Sequence, residues 1–233
     1  MLTVTLVRVL TYNVRSLRDD AAAVGRVMRS AQPDVACVQE APRFLRWRAK
    51  CAGLARRAGM VIVTGGRDAG ANIVLSTLGV EVVATRDVLL SRNRGYHQRG
   101  VAMAVLRFRG TLFAVAGTHL DGASQPHQIG EMHRALDAFA PGLPAVVAGD
   151  INASPGTPGW QEVAARGSDA FAVAGTGDGF TSNVTALTRR IDAIFPGGGI
   201  TVRSARTIDT PDVRIASDHL PLLAELEFPD EQR

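Results

Sequence analysis

Short β-branched apolar runs recur along the whole chain and alternate with a few stretches of helical spacing. Residues 4–12, 34–38, 60–63, 71–76, 80–90, 101–108 and 111–117 read as strands, bounded by Gly, Pro, Asn and Asp. Residues 144–147, 190–195, 200–207 and 222–228 continue the series. Residues 19–30 form an Ala-rich helical stretch with Asp19 and Asp20 at its start, where a carboxylate suits the helix dipole. Over residues 42–58, Phe44, Trp47, Cys51, Leu54 and Ala58 recur on one helical face, with Arg43, Arg46, Lys50 and Arg57 beside it. Ile129, Met132, Leu136 and Phe139 give residues 126–140 a buried side, and residues 158–165 suggest a further helix. Gly175, Gly177 and Gly179 mark a loop. With no repeat and no linker, the pattern predicts one strand-rich α/β domain over residues 1–233.

Composition changes this picture little. A chain of 233 residues buries enough surface to fold without disulfides or a structural metal. Cys37 lies inside an apolar run and Cys51 in a helical pattern, so neither belongs to a disulfide framework; that fits a reducing compartment. Residues 2–10 are apolar but carry Arg8 and are too short to span a bilayer, which reads as the first strand of a cytoplasmic protein. No exposed apolar stretch suggests a membrane partner, and a monomer is expected. The formal charge is +4, and Lys50 is the only lysine. Guanidinium groups suit phosphate, so the arginine excess is modest evidence for a polyanionic partner.

The chemistry gathers where strands end. Asn13 follows the first strand and Glu40 the second, while His119 lies just past residues 111–117. Asp150 and Asn152 follow the run at 144–147. Asp192 lies early in a later strand, and Asp218-His219 precedes the last. Each alone has an ordinary explanation; Asp150 and Asn152, for instance, could cap the turn into Ser154-Pro155-Gly156. Together they put acids, amides and imidazoles at corresponding strand ends, where two packed sheets would collect them in one pocket. If the chain stays extended past Asp150, the carboxylate and the Asn152 amide point the same way, and Gly149 allows a close backbone approach.

These residues stand in six words: Leu10-Thr11-Tyr12-Asn13, Val38-Gln39-Glu40, Gly117-Thr118-His119-Leu120, Gly149-Asp150-Ile151-Asn152-Ala153-Ser154-Pro155, Arg190-Ile191-Asp192-Ala193-Ile194-Phe195 and Ser217-Asp218-His219-Leu220-Pro221-Leu222. In that order, over residues 8–226, the chain resembles the endonuclease/exonuclease/phosphatase superfamily of DNase I-like metal-dependent phosphoesterases. The resemblance implies a four-layer α/β sandwich of two packed mixed sheets flanked by helices. It implies Mg²⁺ or Mn²⁺ held by Glu40 and Asn13 with Asp218 nearby, and Asp150 and Asn152 positioning water and phosphate. It implies His219 as the acid/base histidine oriented by Asp192, and His119 as a second histidine. Physical chemistry agrees: oxygen donors suit a hard divalent cation, and a cation with amide or imidazolium donors offsets the charge of a phosphoester under attack. Whether Asp150 or His219 takes the proton of water stays open at this point.

The substrate is less legible. Abasic-site endonucleases of the superfamily carry a Tyr-x-Pro-Asn word where this chain has Thr118-His119-Leu120, and residues 185–190 bring no aromatic. Gly70-Ala71-Asn72-Ile73-Val74-Leu75-Ser76 resembles a strand of the branch holding DNase I and small phosphodiesterases. An Arg usual after the Thr-His-Leu block is replaced by Gln125, three before Gln128. Asn72, Arg43, Arg46 and Arg99 are candidate substrate contacts, with Lys50, Arg57 and the connection carrying Arg92, Arg94 and His97 as further cations. The leading expectation is a nuclease acting on DNA or RNA phosphodiesters. An enzyme of nucleotide, sugar or inositol phosphates is the alternative, and a silent binding module of the same fold comes last.

Overall fold

The computed structural model describes residues 4–92, 95–122 and 125–229; Arg94 and the side chain of Gln125 lie outside the described residues. In chain order the elements are β1 (Thr5–Asn13), α1 (Ala21–Ala31), β2 (Val35–Gln39), α2 (Trp47–Ala58), β3 (Val61–Gly66), β4 (Asn72–Ser76), β5 (Glu81–Leu89), β6 (Gly100–Phe108) and β7 (Thr111–His119). Then follow α3 (Gln125–Phe139), β8 (Ala145–Asp150), α4 (Pro158–Ala164), α5 (Ala170–Ala174), β9 (Gly175–Thr176), β10 (Asp192–Pro196), β11 (Thr201–Thr207), α6 (Pro211–Ala216) and β12 (Leu222–Phe228). A seven-stranded sheet runs β3-β4-β2-β1-β12-β11-β9 and a five-stranded one β10-β8-β7-β6-β5. Both are mixed: β1 pairs parallel with β2 and antiparallel with β12, and β8 pairs parallel with β7 and antiparallel with β10.

Alternation along each strand builds three apolar layers. On β1, Val7 and Val9 turn toward the other sheet, where they join Ala104, Leu106, Phe113, Val115 and Ile194. Leu10 and Tyr12 turn the other way and pack with Val24 and Met28 of α1, Leu54 of α2 and Val213 of α6. On the second sheet, Met103, Ala114 and Phe195 meet Ile129 and Met132 of α3 and Trp160 of α4. The result is helices, sheet, sheet, helices. Asp20 caps α1 by accepting the N–H groups of Ala22 and Ala23, which fixes where that helix starts.

Two expectations change. The second helix begins at Trp47, not residue 42, because Arg46 takes a left-handed φ of 59° and interrupts the turn. Phe44 therefore lies on a projecting loop and is 75 % exposed, where helical spacing had placed it on a buried face. Gly149 does permit a close approach, but to protein: a Cβ there would sit 1.9 Å from the carbonyl oxygen of Thr118 on β7. Smaller differences are that Phe139 is half-buried and that α5 precedes the glycine-rich loop.

The outer strands β3 and β5 are each interrupted by a bulge, between Ile62 and Thr64 and between Val82 and Ala84. Asp87 of β5 reaches across to β3, where Oδ1 accepts the Thr64 hydroxyl at 2.9 Å and Oδ2 accepts the Gly65 N–H at 3.2 Å. Register brings the polar strand ends to one edge of the sandwich. Asn13 lies opposite Gln39, and Asp150 lies opposite His119 on one side and Asp192 on the other.

Candidate active site

Asp150 is the hub. Its carboxylate is almost wholly buried at the end of β8, with Oδ1 accepting the Asn152 N–H at 3.0 Å and Oδ2 accepting the Asn13 amide at 3.0 Å. His119 Nε2 lies 3.4 Å from Oδ2 and His219 Nε2 lies 3.9 Å from it. The same Asn13 Nδ2 donates to Glu40 Oε1 at 3.3 Å, so one amide bridges two carboxylates. Glu40 forms no ion pair among the described residues. Two carboxylate oxygens held on one amide, one of them without an ion-pair partner, suit a hard divalent cation; the Asn13 oxygen itself accepts the Arg15 N–H at 3.1 Å.

His219 is oriented from behind. Its Nδ1 lies 2.8 Å from Asp192 Oδ2, and the fully buried Asp192 has a second oxygen with no partner. Burial alone would pull the imidazole pKa down, but the charge of Asp192, its hydrogen bond, and the charges of Asp150 and Asp218 push it up to about 10. His119 moves the other way: burial, reinforced by Arg99 and His219 and only partly countered by Asp150, lowers it to about 4. A neutral His119 fits its 2.9 Å contact with the Asn152 amide, which donates to Nε2 in the tautomer protonated at Nδ1. Burial raises the Asp150 carboxyl, against the lowering effect of His119. Asp150, Asp192 and His219 offer ligand atoms within 4.8 Å of one another, but Nδ1 is committed to Asp192, which leaves the Glu40–Asn13–Asp150 side as the better cation seat.

Asn152 reaches this cluster by a different route from that expected. It adopts a left-handed φ of 54°, so the chain does not stay extended; the turn onto Asp150 swings the amide to His119 and to the Leu120 carbonyl, 2.9 Å away. The pocket above holds about 550 Å³ and is lined by Glu40, His119, Asp150, Asn152 and His219 with Arg43 and Arg99 at its sides. Arg99 is held by Asp121, Nε to Oδ1 at 2.6 Å, and Asp121 is braced by Gln128 at 3.0 Å.

Three sequence candidates are not brought into this pocket. Asp218 pairs with Arg15 at 3.4 Å and lines a separate shallow depression with Arg15 and Asp19. Asn72 is fully buried, and its amide donates to the carbonyls of Ala69 at 2.7 Å and Gly100 at 2.9 Å, tying together the backbone beside the pocket. Arg46 lines the adjoining trough and not the catalytic pocket.

Two residues were missed. Thr181 Oγ1 accepts the N–H groups of Ile191 at 3.1 Å and Asp192 at 3.2 Å, while its carbonyl accepts Leu220 N–H at 2.7 Å, clamping the segments that carry Asp192 and His219. Ser217 donates to the Asn13 carbonyl at 2.7 Å and accepts His219 N–H at 3.3 Å. Ser217 stood in a recognised word without a role; Thr181 carried no sequence signal.

Known proteins share this fold. No curated protein matches the chain. Among solved structures, an endonuclease/exonuclease/phosphatase family protein from Bacteroides thetaiotaomicron superimposes with a TM-score of 0.83 at 18 % identity, covering 97 % of this chain and 99 % of its own. A mannosyl-6-phosphatase from the same organism gives 0.81 at 17 % identity, with 95 % and 100 % covered. D. rerio TDP2 complexed with a single-strand DNA product gives 0.71 at 17 % identity, with 95 % and 99 % covered. At such identities these likenesses carry the fold alone. The family model described as Endonuclease/Exonuclease/phosphatase family matches residues 10–219, and with the sandwich and strand-end cluster in hand this chain belongs to that family of phosphoesterase hydrolases.

Proposed function

We propose that this protein hydrolyses phosphodiester bonds of nucleic acid by attack of water, with Mg²⁺ or Mn²⁺ held by Glu40 and Asn13 beside Asp150. The single observation that carries this reading is the connected cluster Glu40–Asn13–Asp150 facing His219–Asp192 at the floor of a pocket with arginines at its sides. When bound, the cation neutralises phosphate charge and favours ionised water. Asp150, desolvated and aimed by the Asn152 N–H, accepts the proton of the attacking water. His219 is held protonated, so its Nε2–H donates to a phosphate oxygen and stabilises charge that grows in the transition state. Asn152, its amide hydrogens taken by His119 and Leu120, holds His119 in place, and Arg99 supplies a further donor at the pocket wall. The absence of an aromatic in residues 185–190 favours a second reading, an enzyme of small phosphoesters, and the mannosyl-6-phosphatase likeness is in keeping with it.

The test is turnover of bis-p-nitrophenyl phosphate, then of DNA, RNA, nucleotides and sugar phosphates, under Mg²⁺ and Mn²⁺. Activity is expected to vanish with EDTA, and Glu40→Gln is expected to raise the cation concentration needed for half-maximal rate by at least about tenfold. Turnover that persists in EDTA overturns the mechanism. Cleavage of sugar phosphates but not of nucleic acid selects the second reading.

A further inference from the structure

Beside the catalytic pocket lies a second trough of about 740 Å³, and the two share Arg43, Phe44, His97 and Gln98 as lining. A single phosphate does not fill this joint space; ligands that do are larger. Arg43, Arg46, Arg67 and Arg92 line the trough against the one carboxylate of Asp68, and none of the four arginines forms an ion pair among the described residues. Clustered cations without countercharge, continuous with a phosphoester site, call for a polyanion. Apolar groups rise from the same wall: Phe44 is 75 % exposed and Leu45 83 % exposed. The base of this loop is fixed, since Trp47 packs so closely on Gly66 that a Cβ there would come within 2.4 Å of its ring. The Arg43 guanidinium lies 5.2 Å from the Phe44 ring centroid, so ring and cation form one surface.

We infer that the trough binds single-stranded nucleic acid flanking the scissile phosphate, with Phe44 stacking on an unpaired base and the arginines tracking the backbone. The inference rests on the phosphodiester reading above and deepens it. A paired base hides its faces inside the duplex stack, whereas an unpaired one offers a face to an exposed ring. The missing aromatic at residues 185–190 is thereby supplied from the loop after β2.

The test is equilibrium binding of fluorescent single-stranded DNA and RNA octamers, followed by anisotropy at fixed low salt in EDTA, where no turnover intervenes. Phe44→Ala is expected to raise Kd about tenfold to a hundredfold, and Phe44→Trp to keep or improve affinity. Arg67→Ala is expected to weaken binding and to lower the salt slope by about one. Phe44→Ala binding within twofold of wild type overturns the inference, as does tighter binding of a duplex octamer than of either single strand. Both substituted side chains are on the surface, so folding is not at issue. Turnover of bis-p-nitrophenyl phosphate by the wild type, measured in parallel with Mn²⁺, reads the catalytic proposal separately: its absence would fail that proposal while leaving the binding result to stand or fall alone.

Discussion

His119 and His219 sit on either side of one carboxylate and are driven in opposite directions, one by desolvation and one by paired charge. The consequence for stability can be signed. His119 falls from 6.5 to about 4, so the unfolded chain binds the extra proton in that interval and stability is lost as pH falls below 6.5. His219 rises from 6.5 to about 10, so the native state holds the extra proton and its contribution is lost as pH climbs from 6.5 through 10. Denaturant unfolding of metal-free protein is expected to show His119→Asn flattening the acid limb and His219→Asn the alkaline limb, each relative to wild type. Thr181→Val keeps shape but leaves two buried N–H groups without an acceptor, at a cost of about 1–3 kcal/mol. Thr181→Ser is expected to restore both stability and kcat, with KM little changed in either variant. Most of the cluster was legible in sequence because side chains gathered into one pocket between two sheets lie at strand ends, within short local words. Asp218 stands apart from the pocket because neighbours in sequence diverge around a turn: His219 faces in while Asp218 pairs with Arg15. Thr181 was invisible because its partners are backbone groups, which leave no mark on composition.

Strands read from short apolar runs survived contact with the structure, since a strand buried on both faces is apolar at nearly every position. The start of α2 did not, because a single left-handed residue at Arg46 overrides four residues of helical spacing, and no apolar pattern encodes that φ. The same interruption frees Phe44 and Leu45 and so produces the wall of the trough. Close backbone approach sets a second limit at this scale. Gly149→Ala would drive a methyl into the Thr118 carbonyl and part β7 from β8 beside Asp150. A loss of about 3 kcal/mol in urea unfolding is expected, with activity falling further than stability because His119 and Asp150 lose register.

Across the whole molecule, helices cover the outer faces of both sheets, and the site occupies one edge where the polar strand ends meet. No helix among the described residues is long and apolar enough to cross a membrane. What apolar runs could not forecast is how two sheets finish at their sides. Val61, Ile62, Val82 and Val83 are exposed on β3 and β5, a composition that would invite a neighbouring molecule to add its own strand. The bulges break the flat hydrogen-bonding row on each strand, and Asp87 occupies the Gly65 N–H that a visiting strand would need. Burial raises the pKa of that carboxyl, so acid removes the anionic acceptor earlier than it would from a free aspartate. Asp87→Val is therefore expected to increase light scattering on storage at neutral pH, and wild-type protein to begin scattering as pH approaches the carboxylate range. One hydrogen-bonded aspartate outside the catalytic pocket is thus expected to keep these strand edges from templating aggregation.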